Sequence, residues 1–119
     1  MQSVRNPNIV MFVDVMESSK NYYIIQELCD GDITKIMTPK KQMGEDECIN
    51  MLTQICNGFL ALVREGIIHR DLKPANIMIK DKILKIGDFG FAKKIPNNNF
   101  KINSVVGTPL YMSLQILKN

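Results

Sequence analysis

The octapeptide HRDLKPAN at residues 69–76 and the tripeptide DFG at residues 88–90 decide how this chain folds and what chemistry it supports. A single Asp in a loop is usually a turn former, and a single Lys is usually a solvated charge. Six specified residue types at fixed spacing, however, arise by chance roughly once in 10^8 positions at average residue usage. Short apolar segments at residues 67–68, 77–79 and 83–86 flank the two stretches and predict strands, the last two joined by a polar turn at residues 80–82. The polar residues therefore indicate a site on loops held by a β framework.

The two stretches resemble the catalytic loop and the metal-binding loop of protein kinases, and the resemblance covers essentially the whole chain. It implies that Asp71 accepts the proton of a substrate hydroxyl and orients it for attack. It implies that Lys73 contacts the transferring phosphate and spreads its charge. In the Gly-Thr-Pro sequence that follows, Thr108 is implied to contact both of these residues. With Asn76, these three form the expected catalytic set.

The implied cofactors are ATP and Mg²⁺. Asn76 and Asp88 would supply hard oxygen ligands from two loops, which suits Mg²⁺ bridging nucleotide phosphates. The resemblance implies that Phe89 moves between active and inactive packing. It also implies that His69 is structural, lying near Phe89, and is neither a base nor a metal ligand.

Lys73 and Pro74 are typical of the serine/threonine branch of the family. We therefore expect ATP- and Mg²⁺-dependent phosphoryl transfer to Ser and Thr hydroxyls of a protein substrate. The hinge and residues 107–112 loosely resemble the autophagy-initiating kinases. The alternative is a non-catalytic, kinase-like binding or scaffold protein, which the intact catalytic and metal-binding residues disfavour.

Residues 26–29 fall where the family's hinge binds adenine. The Glu27 carbonyl and the Cys29 amide are the candidate adenine contacts, and Gln26 is the candidate for pocket depth. Asp32 resembles the acidic residue near the ribose, and Met78 would pack beneath the adenine ring. On residue type alone, Cys29 is an inert small hydrophobe, Gln26 an edge-strand polar residue and Met78 core filler.

The resemblance also predicts a phosphorylation switch. Ser104 lies four residues before Thr108, at the family's usual phosphosite, and Arg70 and Lys93 occupy positions that bind such a phosphate. A phosphate adds about −1.5 to −2 charges. We expect phospho-Ser104 to contact Arg70 and Lys93 and to order residues 100–106. The alternative is an exposed loop serine with no such role.

The predicted fold class is α+β, the central fragment of the bilobal protein-kinase fold. In this interpretation residues 1–25 end the small lobe. Residues 26–32 form the hinge, and residues 33–119 run from the start of the large lobe through the activation segment. The isolated residue pattern supports only a mixed α and β fold with one long helix.

Local patterns predict the main elements. Strands at residues 9–13 and 22–25 are expected to form a hairpin. Residues 30–32 should break the chain, with Asp32 capping a short helix. A broad apolar stripe over residues 45–65, with an acidic N-terminus, predicts a long helix.

The sequence departs from the family pattern in several places. It contains no glycine-rich loop, no strand lysine and no glutamate partner for that lysine. Leu114 and Gln115 stand where the family has Pro and Glu. The resemblance therefore implies a truncated, inactive fragment whose missing kinase lobes are expected in cis.

Composition bounds the remaining possibilities. The 119 residues are 45% hydrophobic and 23% charged, which excludes disordered and disulfide-rich classes. Residues 1–59 carry 5 Lys and Arg against 8 Asp and Glu, whereas residues 60–119 carry 10 against 4. The basic half has no aromatic-interleaved stripe, so we expect no nucleic-acid partner. No apolar run is long enough to span a membrane. The three cysteines favour reduced thiols and a cytoplasmic protein.

Overall fold

The computed structural model describes residues 4–39, 42–95 and 104–118. Its strands and helices alternate irregularly along the chain, which confirms the α+β prediction. In chain order the elements are β1 (Phe12–Glu17), β2 (Tyr22–Gln26), β3 (Gly31–Asp32), α1 (Thr34–Met37), α2 (Glu45–Arg64), β4 (Ile67–Ile68), β5 (Ile77–Lys80), β6 (Ile83–Ile86), β7 (Lys93–Lys94) and α3 (Leu114–Leu117). Short 3-10 turns cover Pro74–Asn76 and Pro109–Tyr111.

The first hairpin pairs β1 with β2 in antiparallel register, closed by a turn in which the Ser18 amide donates to the Asn21 carbonyl at 2.8 Å. The prediction that its first strand begins at residue 9 is wrong. Ile9 instead makes an isolated parallel bridge to Ile86, and the Val10 amide donates to the Ile86 carbonyl at 2.9 Å. The apolar segment at residues 9–13 therefore pairs with two different strands. Its first residues pair with β6, and only the later ones pair with β2.

The long helix α2 confirms its prediction to within one residue at the C-terminal end. Three acidic residues occupy its first turn, where they interact favourably with the helix dipole. Gly58 lies so close to the Asn8 carbonyl that a Cβ atom would collide with it. The helix therefore packs tightly onto the segment that precedes β1.

A three-stranded sheet in the order β3-β5-β6 lies at the centre of the molecule. The hairpin β5–β6 turns through Asp81 and Lys82, both with positive φ, as the turn prediction expected. The prediction of a break at residues 30–32 is wrong in part, because Gly31 and Asp32 pair with Ile79 and Met78. A two-residue strand at the sheet edge carries no periodic signal that a sequence pattern could show.

The core lies between α2 and the three-stranded sheet. Leu62 and Ile86 are both 0% exposed. Their buried neighbours are aliphatic residues from the segments on either side: Ile9, Ile33, Ile67, Ile77 and Leu84. The small pair β4–β7 then holds the two ends of the motif region together, with Ile67 opposite Lys94 and Ile68 opposite Lys93. No helix within the three described ranges is long and apolar enough to cross a membrane.

Candidate active site

The loop between β4 and β5 presents Asp71 at the centre of the candidate site. Arg70 has φ of 70°, a left-handed conformation that turns the chain sharply after His69. Pro74 then opens a 3-10 turn, and the loop ends where Asn76 leads into β5. The side chain of Asp71 is nearly buried, so its charge has to be balanced by protein groups.

Three side chains balance that charge. Lys73 Nζ lies 2.9 Å from Asp71 Oδ2, and the Thr108 hydroxyl donates to Asp71 Oδ1 at 2.7 Å. Lys73 Nζ also donates to Thr108 Oγ at 2.7 Å, which closes a triangle. Asn76 Nδ2 donates to the carbonyl of Asp71 at 2.8 Å and to its Oδ2 at 3.0 Å. The structure therefore brings together all four predicted catalytic residues.

The triangle keeps Asp71 ionised. Hydrogen bonds from Lys73 and Thr108 lower the pKa of Asp71 to about 2, although burial acts to raise it. Above about pH 4 the group is a carboxylate, an acceptor that can receive the hydrogen of a nearby hydroxyl. Lys73 supplies a positive charge on the same side. The arrangement can orient a hydroxyl nucleophile and stabilise negative charge beside it.

His69 connects this loop to the residue before Asp88. Its Nε2 lies 2.8 Å from the Gly87 carbonyl, so Nε2 is the donor, and its Nδ1 accepts from the Asp71 amide at 3.3 Å. The ring is 2% exposed and packs edge-on against Phe89, with centroids 5.0 Å apart. Both nitrogens are thus engaged with the backbone. These contacts fit the predicted structural role for His69.

Asn76 and Asp88 fit the chemistry of a Mg²⁺ site. Asn76 Nδ2 donates to two oxygens of Asp71, whereas no donor to Asn76 Oδ1 is found within the described part of the chain. Asp88 is exposed with φ of 51°, and its Oδ1 accepts from the Gly90 amide at 3.2 Å, with no further donor among the residues that the structure describes. Two hard oxygens suffice for Mg²⁺, which usually retains water and phosphate oxygens as its other ligands.

Gly107 allows the segment containing Thr108 to reach the catalytic loop. Its φ is +119°, and a Cβ atom at this position would collide with the Arg70 carbonyl. Only glycine combines this backbone conformation with so close an approach. The position of Thr108 against Asp71 therefore depends on the residue beside it.

The predicted phosphorylation residues are brought together in part. Arg70 Nη1 donates to Ser104 Oγ at 2.6 Å, and Arg70 Nε donates to the Phe91 carbonyl at 2.6 Å. Lys93 lies on β7 with its side chain exposed, and among the described residues no hydrogen bond joins it to Ser104. Residues 100–103 of the predicted ordered segment lie outside the described residues.

A pocket of about 470 Å³ lies at the predicted hinge. Asp88 lines this pocket. So do most of the residues that were predicted to bind the nucleotide, namely Gln26, Glu27, Cys29 and Met78. The structure does not bring Asp32 into this pocket. Its carboxylate accepts hydrogen bonds from the Thr34 amide, at 2.9 Å, and from the Thr34 hydroxyl, which lower the pKa of Asp32. Asp32 therefore bonds to the first residue of α1, but the N-cap is Ile33 and has no side-chain cap bond, so the prediction that Asp32 caps the helix is wrong.

A second, larger pocket of about 790 Å³ lies on the Asp71 side. Arg70, Asp71 and Thr108 contribute to its wall, with Tyr111 and Ile116 from the chain that follows. The two pockets share no lining residue, and the hydrogen bond from His69 to Gly87 connects their walls. Asp71 and Thr108 of the triangle thus line the larger pocket, whereas Asp88, a candidate Mg²⁺ ligand, lines the hinge pocket.

The sequence did not indicate the role of the Glu27 side chain. Its carboxylate accepts from the Met11 amide at 2.7 Å and pairs with both Lys80 and Lys85 at 3.0 Å. These partners lie far apart in the sequence. Lys80 and Lys85 lie on either side of a predicted turn, and nothing in their spacing predicts that both side chains pair with one carboxylate.

Comparisons with known proteins agree with this geometry. A sequence model of the family described as "Protein kinase domain" matches residues 1–119. The chain is 33% identical over 119 residues to serine/threonine-protein kinase 36 of Pongo abelii, covering 99% of the chain and 9% of that protein. It is 37% identical over 125 residues to serine/threonine-protein kinase atg1 of Dictyostelium discoideum, covering 98% of the chain and 19% of that protein.

A third relative, serine/threonine-protein kinase polo of Drosophila melanogaster, is 38% identical over 118 residues, which cover 98% of the chain and 20% of the relative. The chain thus spans between about a tenth and a fifth of the length of these curated relatives. The family match, by contrast, extends from its first residue to its last. The chain belongs to the protein kinase domain family.

Proposed function

We propose that this chain carries the catalytic half-site of a serine/threonine protein kinase that transfers the γ-phosphoryl group of ATP to protein hydroxyls. The observation that carries the proposal is the closed triangle of Asp71, Lys73 and Thr108. The triangle places a carboxylate, a lysine and a hydroxyl together beside a pocket of about 790 Å³. Phosphoryl transfer to a hydroxyl requires an acceptor for the nucleophile and a positive charge beside it, and this arrangement offers both.

In this proposal Asp71 orients the substrate hydroxyl and receives its proton. The hydroxyl oxygen forms a bond to the γ-phosphorus while the bond from that phosphorus to the β,γ-bridging oxygen breaks, and ADP leaves. Lys73 neutralises charge on the transferred group. Asn76 and Asp88 would hold Mg²⁺, which when bound neutralises the nucleotide phosphates. The hinge pocket would take the adenine.

The choice of serine and threonine rests on two observations. Lys73 and Pro74 match that branch of the family in sequence. The curated relatives described above are all serine/threonine-protein kinases by name. The likeness to atg1 supports, as a further proposal, a place near the autophagy-initiating group.

The test uses a chimeric domain in which residues 1–119 replace the matching segment of the Drosophila polo kinase. Peptides that differ only in carrying Ser, Thr or Tyr are incubated with radiolabelled ATP and Mg²⁺. We expect label on the Ser and Thr peptides and none on the Tyr peptide. A folded chimera that binds ATP but labels no peptide would contradict the proposal, and equal labelling of Tyr would contradict its specificity.

The chain by itself is a separate case. Its sequence contains neither a glycine-rich loop nor the strand lysine that contacts the nucleotide phosphates. We therefore expect no transfer by the 119 residues alone in the same assay. Transfer by the chain alone would show that those elements are dispensable or are supplied by a second chain.

A further inference from the structure

The carboxylate of Glu27 joins two hairpins that are far apart in the sequence. Its side chain is only 6% exposed. It accepts from the amide of Met11, just before β1, at 2.7 Å, and it pairs with Lys80 at the end of β5 and Lys85 within β6, both at 3.0 Å. One side chain thus links the first hairpin to the second.

These contacts keep the Glu27 carboxylate negatively charged. Burial by itself raises the pKa of Glu27, but the Met11 amide and the two lysines outweigh it and lower the pKa to about 2. Lys85 is also largely buried, with 12% of its side chain exposed. Removing the carboxylate would leave the lysine charges without their partner, which is more disruptive than the loss of an exposed ion pair.

The backbone that follows Glu27 is fixed at its two ends and open between them. The Glu27 amide donates to the Met11 carbonyl at 3.0 Å, and the Asp30 amide donates to the Ile79 carbonyl at 2.7 Å. Two backbone groups lie between these anchors. Within the residues that the structure describes, the Glu27 carbonyl accepts a hydrogen bond only from the Cys29 thiol, at 3.9 Å, and the Cys29 amide donates to no protein acceptor.

Glu27 and Cys29 line the 470 Å³ pocket. Backbone donors and acceptors that find no protein partner are satisfied by water or by a ligand. Their direction decides which ligand edge they fit, because hydrogen bonds weaken steeply as their geometry departs from linear. Adenine carries the N6 amine donor beside the N1 acceptor, whereas guanine carries the O6 acceptor beside the N1–H donor. A carbonyl followed by an amide therefore matches the adenine order only while the two backbone groups keep their spacing and direction.

We propose that the Glu27 carboxylate is a positioning residue that fixes the hinge backbone, so that the Glu27 carbonyl and Cys29 amide select adenine over guanine. The inference rests on the proposed function, since it takes the pocket to be the nucleotide site. Glu27 acts through its own main chain and through Lys80 and Lys85, and its carboxylate does not touch the base. A merely stabilising ion pair would strengthen binding of both purines equally.

The test is a titration of the full 119-residue chain, labelled with ¹⁵N, with MgATP and with MgGTP at millimolar concentrations. The variants are E27Q and K85Q, and the matched control is E65Q, an exposed carboxylate that lies 3.9 Å from Lys94. The ratio of the two dissociation constants reports base selection. That ratio does not depend on the fraction of protein that is folded.

We expect E27Q to reduce the preference for ATP over GTP by about tenfold, in line with the loss of well-directed hydrogen bonds. In E27Q the Met11 amide resonance should also move upfield as its bond to a carboxylate is lost. K85Q should give an intermediate loss of preference, and E65Q none. If E27Q does not retain the dispersed wild-type spectrum, K85Q carries the test, because Glu27 then keeps Met11 and Lys80.

Two results would overturn the inference. One is an unchanged preference in folded E27Q and K85Q. The other is an equal weakening of both nucleotides, which would make Glu27 a stabilising residue only. A wild-type chain that binds neither nucleotide would also overturn this inference. The proposed function fails on a different result, a folded chimeric domain that binds ATP but labels no peptide, so the two failures are distinguishable.

Discussion

The Thr108 hydroxyl offers the sharpest single perturbation of the candidate site. It donates to Asp71 at 2.7 Å and accepts from Lys73 at 2.7 Å, so one oxygen atom contacts both of the proposed catalytic groups. Thr108→Val removes that oxygen and keeps the shape and β-branching of the side chain. Thr108→Ser keeps the hydroxyl and removes only a methyl group, which makes it the matched control.

The size of the effect follows from these contacts. A hydrogen bond to a charged group contributes about 1.5 to 3 kcal/mol. If one such interaction is lost from the reacting state, kcat should fall by about 10- to 150-fold, since about 1.4 kcal/mol is a factor of ten. The KM for ATP should change little, because Thr108 borders the larger pocket and not the hinge pocket.

The assay is steady-state phosphorylation of a Ser peptide by the chimeric domain, with melting temperatures measured in parallel to exclude unfolding. The Ser variant should remain close to wild type. The Val variant should lose kcat with KM kept, which is the signature of an interaction made in the transition state. A Val variant with wild-type kcat would refute the view that Thr108 holds Asp71 and Lys73 in place.

Three further outcomes are expected. Gly107→Ala should lower both melting temperature and kcat in the chimeric domain, because its Cβ would strike the Arg70 carbonyl; wild-type values of both would show that the segment can reach Asp71 by another path. Phosphate at Ser104, detected by mass spectrometry, should raise activity, because Arg70 already donates to the Ser104 hydroxyl, and Ser104→Ala should abolish that gain. An unmodified Ser104 together with unchanged activity of the Ser104→Ala variant would contradict this prediction. Acid should destabilise the fold, because the pKa values of Glu27 and Asp71 are lowered to about 2 from ordinary values of 4.5 and 3.8. This stabilisation of the folded state is complete above about pH 4.5 and is lost as pH falls towards 2, and Glu27 contributes on the order of 3 kcal/mol of it. The free energy of unfolding, measured with denaturant at pH 6 and at pH 3, should therefore differ less between the two pH values in E27Q than in wild type.

Local patterns predicted the elements whose signal is long or chemically distinct. The stripe over residues 45–65 gave α2 almost to the residue, since a 20-residue amphipathic helix carries many concordant positions. The β5–β6 hairpin followed from apolar segments around a polar turn. Asp71 and Lys73 could be singled out without any knowledge of packing because residues 69–76 and 88–90 resemble two kinase loops, and their catalytic roles stay a prediction.

Features that depend on long-range pairing could not be predicted in this way. Ile9 and Val10 look like the start of a hairpin strand, yet they pair with β6, which is remote in sequence. Asp32 is a local case: its residue type suits either a ribose contact or a turn before a helix, and in the structure its carboxylate accepts from Thr34, two residues along the chain. The partners of Glu27 come from the segment just before β1 and from the β5–β6 hairpin, and only the folded chain brings them to one point.

The most direct test of the catalytic assignment is the kcat of the chimeric domain carrying Asp71→Asn, measured beside Asp81→Asn. Asp81 lies in the exposed β5–β6 turn with positive φ, where Asn is well tolerated. We expect Asp71→Asn to lower kcat by about 10²- to 10⁴-fold while ATP still binds, and Asp81→Asn to leave kcat unchanged. Wild-type turnover in folded Asp71→Asn would contradict the assignment of Asp71 as the residue that orients and deprotonates the substrate hydroxyl.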